Sequence, residues 1–111
     1  KNGMNGKNWH NTHFFDYPLS NDFHVYGVEW CQEEENGKDC IRFFVDGVEY
    51  ATVWENKIGD HDSWPFYKPH YFILNLAIGG NMGGKVDDAI FNQKRIMYVD
   101  WVRVYQRQEQ P

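Results

Sequence analysis

Asn75 stands in the middle of the run His70-Tyr71-Phe72-Ile73-Leu74-Asn75-Leu76-Ala77-Ile78. An amide in such a setting must find hydrogen-bond partners, either inside the protein or on a ligand lying over a sheet face. The run is too short to cross a bilayer and passes at once into Gly79-Gly80-Asn81-Met82-Gly83-Gly84. That pattern reads as a buried strand ending in a tight, ligand-accessible loop. Strand alternation places Tyr71, Ile73, Asn75 and Ala77 on one face and Phe72, Leu74, Leu76 and Ile78 on the other. The second face is wholly apolar and is the expected core face. The first, with an amide beside an aromatic ring, has the chemistry that a sugar-binding sheet needs.

Two further residues capable of chemistry, Cys31 and Cys40, bracket a polar hairpin tip. They can face each other across antiparallel strands as a disulfide, which implies an oxidising compartment, or remain reduced thiols at strand ends. Spacing alone leaves both readings open. A two-cysteine metal site without nearby histidine ligands is the poorer fit.

The elements that position these residues are short strands. Trp9 to Tyr17, containing His10, His13, Phe14, Phe15 and Asp16, alternates aromatic and polar residues as a strand with one wet face does, and Pro18 ends it. A second strand is predicted over Asn21 to Trp30, with Asp22, His24, Tyr26, Val28 and Trp30 on one side and Phe23 and Val25 on the other. Glu33 to Asp39 is a charged turn in which Asn36-Gly37 is the hairpin signal. Ile41 to Val45 returns, Asp46-Gly47 turns again, and Val48 to Trp54 pairs back, making an antiparallel meander. Glu55 to Lys68 is a longer polar connection carrying Trp64-Pro65-Phe66, a stretch that either plugs the core or walls a cleft. Val86 to Lys94 is predicted irregular or briefly helical. Tyr98 to Gln106, rich in β-branched and aromatic residues, is the last predicted strand.

No amphipathic helical period and no internal repeat is visible, so the fold class is all-β, a sandwich or jelly roll. A chain of 111 residues buries roughly two thirds of its unfolded surface and has the size of one compact domain. Aromatic residues make up 18%, including five Trp, seven Tyr and eight Phe, more than a core of this size needs, so some rings should face solvent or ligand. A net charge of -5 and a pI near 5.4 provide no basic stripe for phosphate, which argues against nucleic acid as a partner. No apolar run approaches a transmembrane helix, and Lys1 to Asn8 is polar rather than signal-like, so no membrane partner is expected.

Asp22-Phe23-His24-Val25-Tyr26-Gly27-Val28-Glu29-Trp30, then Phe44-Val45-Asp46-Gly47, Trp64-Pro65-Phe66, Phe72-Ile73-Leu74-Asn75-Leu76-Ala77-Ile78-Gly79-Gly80-Asn81 and Val99-Asp100-Trp101-Val102-Arg103-Val104-Tyr105 together resemble the second half of glycoside hydrolase family 16. The branch most similar is that of the laminarinase-like endo-β-1,3-glucanases. Five motifs in one order, from about Asp22 to Gln106, carry the resemblance. It implies a concanavalin-like β-jelly roll, two stacked antiparallel sheets whose concave face holds a β-glucan chain. It also implies a retaining mechanism, with a nucleophilic and an acid/base glutamate roughly 5–5.5 Å apart, and no cofactor for catalysis.

The family's Glu-x-Asp-x-x-Glu strand has no counterpart here. Glu33 alone among the glutamates has an acidic residue two positions on, Glu35, and that pair lies in the charged tip. Residues 1–111 therefore read as the C-terminal portion of a single jelly-roll domain of roughly 200–250 residues. The expected partners are β-glucan and the N-terminal half of the same enzyme, and the expected location is secreted or periplasmic. The alternative is a non-catalytic β-glucan-binding protein of the same fold.

The resemblance also assigns candidate residues. Asn75 matches a cleft position where an amide bonds a sugar hydroxyl, the alternative being an interior amide. Trp64 is a stacking ring or a core plug. His24 and Tyr26 lie beside the implied cleft, where His24 either tunes a catalytic carboxylate or is structural, and His10 and His13 reach toward the sugar from an adjoining strand. Asn81 sits in a loop where relatives carry Asn-Trp; Met82 here removes that platform. Asn92 replaces a common Pro. Asp100 matches a position whose carboxylate helps hold a structural calcium, or else is an edge aspartate.

Overall fold

The structure, a computed structural model, describes residues 9–35, 37–59 and 64–108. It divides into two units, Lys1–His70 and Tyr71–Pro111. Asn36 of the expected Asn-Gly turn and the polar stretch Lys1 to Asn8 lie outside the described residues.

The first unit is a three-stranded antiparallel meander, β1 (Tyr26–Glu35), β2 (Lys38–Val45) and β3 (Val48–Trp54), in the order β1-β2-β3. It is the all-β, antiparallel class expected, and a fragment of the kind from which a jelly roll is built. β3 has its predicted bounds. β1 begins later than expected: Asn21 closes a short 3-10 helix, Leu19–Asn21, after Pro18, and Asp22 to Val25 lie outside the ladder. The β2–β3 connection is the predicted two-residue turn: Val45 pairs with Val48, and both Asp46 (φ +51°) and Gly47 (φ +79°) are left-handed, as a type I′ hairpin requires.

Register then decides burial. Tyr26, Val28 and Trp30 oppose Val45, Phe43 and Ile41, which in turn oppose Val48, Ala51 and Val53, so these residues share one face. Ile41, Val53 and Trp64 form the core on that face, with Trp9, Phe43, Ile58 and Phe66 packed around them. Each fully covered aliphatic or aromatic side chain of this kind contributes about 1.5–3 kcal/mol relative to exposure. α1 (Glu55–Ile58) is a single turn after β3, and a 3-10 turn at Pro65–Tyr67 follows Trp64, which seats that ring over the sheet. The opposite face carries Glu29, Cys31, Cys40, Arg42, Thr52 and Trp54.

A bulge interrupts β2–β3: Phe43 pairs with Ala51 while the next residue, Phe44, pairs with Glu49, leaving Tyr50 as the extra residue. Trp9 to Tyr17 does not form the predicted strand. Its alternation survives in another form, since His13, Phe15 and Tyr17 make a line of ring contacts while Phe14 points outward.

The second unit departs most from expectation. Neither Tyr71 to Ile78 nor Tyr98 to Gln106 is a strand, and the supposed core face, Phe72, Leu74, Leu76 and Ile78, is exposed throughout. A strand needs neighbours that accept its N–H groups and supply its acceptors, and within this unit no described segment pairs with either stretch. The glycine loop is ordered locally. α2 (Gly80–Gly83) is one turn, closed by Gly84 N–H donating to Gly80 O at 2.9 Å. The predicted brief helix appears as a 3-10 segment at Asp88–Asn92, where the Asp87 carboxylate accepts from Ala89 N–H at 3.0 Å.

Candidate functional site

Asp46 is placed by topology before chemistry. Because Tyr26 pairs with Val45, the next positions outward are Val25 and Asp46, and Asp46 N–H donates to Val25 O at 2.8 Å. The return partner of Val25 N–H is not a backbone carbonyl but Oδ1 of Asp46, at 2.9 Å. Its other oxygen, Oδ2, is 2.6 Å from Nδ1 of His24. The Val25 N–H first, and His24 second, hold the Asp46 carboxyl below its ordinary value of 3.8.

An ionised carboxylate only accepts, so Nδ1 of His24 carries the proton and Nε2 is left as the second ring nitrogen. Nε2 is buried and makes no hydrogen bond to the described residues. The Tyr17 ring stacks on the imidazole, centroids 5.7 Å apart and planes within 29°. An Asp–His pair can act as a base only if its outer nitrogen reaches substrate. With Nε2 enclosed, this pair positions chain: it ties the entry of β1 to the β2–β3 turn.

From Tyr17 a continuous aromatic stripe runs across unit one. Centroid separations are 5.6 Å for Tyr17–Phe15, 4.8 Å for Phe15–His13, 6.0 Å for His13–Tyr50, 6.2 Å for Tyr50–Phe43 and 5.9 Å for Phe43–Trp9. The β3 bulge is what turns Tyr50 into this line. Its wet members, His13 and Tyr17, offer ring surface and polar atoms together, the combination that packs on pyranose C–H faces while bonding hydroxyls. Phe15, Tyr17 and Tyr50 were not singled out from sequence as site residues. The odd-numbered ring pattern over 13–17 was a readable signal for two of them; the bulge that recruits Tyr50 was not.

The candidates named from sequence fall into separate groups. His13 and His24 join the stripe. His10, next in the chain to the Trp9 that ends the stripe, is exposed, and Tyr26 is exposed on β1. Trp64 takes the core role: it is 0% exposed, in edge contact with Phe66 at 5.0 Å, and presents no face for a sugar. Asn75 and Asn81 belong to the second unit, each exposed there, Asn81 within α2. Met82 beside it is fully exposed.

Cys31 and Cys40 are direct partners in the β1–β2 register, as the facing reading required, and both are free thiols, so the bond itself is not formed here. Burial, then the Glu29 carboxylate and Cys40, push the Cys31 thiol up to about 12 against the opposing pull of Arg42. Asp100 is exposed and stands in no group of three or more His, Cys, Asp or Glu side chains among the described residues. Calcium takes about six to eight oxygens, backbone carbonyls included, so this carboxylate by itself is only a part of such a site. No helix among the described residues is long and apolar enough to cross a membrane.

Compared with curated proteins, the chain is 40% identical over 90 residues to Beta-glucanase of Rhodothermus marinus, matching 76% of this chain and 29% of that one. It is 37% identical over 95 residues to Glucan endo-1,3-beta-glucosidase A1 of Niallia circulans, matching 81% of this chain and 13% of that one. It is 41% identical over 86 residues to Clotting factor G alpha subunit of Tachypleus tridentatus, matching 77% and 11%. The chain thus spans less than a third of the length of these relatives. No family model matches it. No solved structure matches it either.

Proposed function

We propose, from the premise that this chain belongs to the laminarinase-like β-glucanases of glycoside hydrolase family 16, that it supplies part of a retaining endo-β-glucanase. The substrate class is β-1,3-glucan or mixed β-1,3/1,4-glucan. The reading places the chain in the C-terminal half of the catalytic jelly roll and the two glutamates on a strand outside it.

The observation that carries this reading is the alignment, at 40% identity, of 90 residues of this chain with a protein named Beta-glucanase. The aromatic stripe from Tyr17 to Trp9 adds a surface chemically suited to pyranose rings. Exposed apolar residues on β1, namely Tyr26, Val28 and Trp30, are what a chain completed by further strands presents. A polymeric glucan is met outside the cell, which favours secretion.

In this scheme the chain forms one wall of the cleft and orients the sugar, while proton transfer and nucleophilic attack belong to the missing carboxylates. A structural calcium at Asp100 remains part of the proposal only if the completing half brings its oxygens.

A second reading is a glucan-binding protein of the same fold that does not cut. One experiment separates the two. Laminarin hydrolysis and pull-down on insoluble β-1,3-glucan are measured on the same purified material, with intact and native masses recorded. Hydrolysis that accompanies a second, acid-bearing polypeptide supports the enzyme part. Binding without hydrolysis in material of one mass supports the binding protein, and neither binding nor hydrolysis under any composition removes both.

A further inference from the structure

We infer that Cys31 and Cys40 form a redox-active dithiol, a cross-strand modification site that exchanges with a low-molecular-weight disulfide and staples β1 to β2. They are the two cysteines of the 111 residues. The register makes them direct partners on one sheet face, and their exposures are 5% and 0%. No other thiol of the chain competes for either.

The surroundings are chemically specific. Arg42, the next position along β2 on the same face, donates from Nη1 to Sγ of Cys31 at 2.8 Å and to Oε1 of Glu29 at 2.9 Å. Cys31 in turn donates from Sγ to Oε1 of Glu29 at 3.1 Å. The guanidinium stabilises a thiolate, whereas Glu29 and burial hold the proton on sulfur. Cys31 is therefore kept protonated and slow to react until the site opens. A place for that opening adjoins it: the regular ladder ends at Cys31, where the register shifts before Glu35 pairs with Lys38.

The exchange proceeds in two steps. A thiolate of the pair attacks one sulfur of the small disulfide, forming a mixed disulfide and releasing one small thiolate. The second cysteine, deprotonated to solvent, attacks the protein-borne sulfur of that mixed disulfide, forming the Cys31–Cys40 bond and releasing the second small thiolate. The protein loses two protons and two electrons, and the small disulfide is reduced to two thiols. The new bond closes the loop 32–39 and removes freedom from the unfolded hairpin.

The test uses the full chain under native, mildly alkaline conditions with excess glutathione disulfide, followed by acid quench and peptide mapping without reduction. The expected product is lighter than the reduced chain by two hydrogens, carries a 31–40 crosslink, melts at higher temperature and reverts with dithiothreitol. Cys31→Ser and Cys40→Ser should each stop at a mixed disulfide with no rise in melting temperature. A stable mixed disulfide on the wild-type chain, a disulfide between two chains, or no reaction would each overturn the inference. None of these readouts depends on glucan, nor does the wild-type result depend on the variants folding.

Discussion

Nδ1 of His24 lies 2.6 Å from Oδ2 of Asp46, a residue 22 positions further along the chain. The contact joins the segment entering β1 to the turn between β2 and β3. Asp46 sits at φ +51°, in the left-handed region that Asp and Asn tolerate better than most residues, so one side chain both permits the turn and clasps the neighbouring strand.

Replacing Asp46 therefore has separable effects. Asp46→Ala removes the acceptors of Val25 N–H and His24 and adds backbone strain, and should lower the melting temperature by several degrees. Asp46→Asn keeps the turn and an acceptor for Val25 N–H while losing the charge, and should lower it less. Equal effects of the two in a thermal melt would show that the turn conformation and the Val25 acceptor contribute nothing beyond the carboxylate's charge.

The same carboxylate sets a pH dependence. Its folded value lies below 3.8, so the unfolded chain binds the proton more readily and the clasp contributes fully above that value. Stability should fall as pH drops through and below 3.8. Asp46→Asn should flatten that part of a urea-midpoint profile against pH.

Cys31 gives the opposite sign. A thiol whose ordinary value of 9.0 is raised to about 12 holds its proton more tightly when folded. The stabilisation is complete below pH 9.0 and is lost as pH rises from there toward 12. Cys31→Ala should remove the loss over that window, as read by denaturant midpoints, while leaving the acid limb unchanged.

Trp64 is a core residue, and its truncation should be costly. Trp64→Ala leaves a void beside Ile41 and Val53 and should destabilise unit one by about 3–5 kcal/mol. Trp64→Phe should cost less, because the ring Nε1 is buried without a hydrogen-bond partner among the described residues and its loss strands no acceptor. Equilibrium urea unfolding with folded baselines checks both.

Gly79 cannot carry a side chain where it stands. A Cβ there would come 2.6 Å from Cγ2 of Val86, at φ +74°. Gly79→Ala should cost about 1–3 kcal/mol locally, seen as faster proteolysis across residues 79–86. Adding Val86→Ala should relieve the clash and leave the smaller backbone cost of about 1 kcal/mol.

Local rules made much of unit one legible. Asp46-Gly47 between β-branched and aromatic runs is enough to specify a two-residue hairpin, and the bounds of β3 follow from it. The facing of Cys31 and Cys40 follows from the same period-two arithmetic. The ordered motifs, and with them the kinship, are properties of residue order alone.

Other features depend on partners that a linear reading does not contain. The ring of Trp64 is core rather than platform because Ile41 and Val53 meet it from two strands. The residues Trp9 to Tyr17 make a ring stripe instead of a strand because Phe43 and the bulged Tyr50 offer aromatic faces. Tyr71 to Ile78 and Tyr98 to Gln106 have strand composition without strand structure, because composition sets which face would be apolar but hydrogen-bonded neighbours make the ladder. The sequence by itself determined the turns, the alternation and the family. Tertiary structure decided which rings are buried and that His24 is enclosed beside Asp46, since burial and long-range pairing are set by which distant surfaces meet.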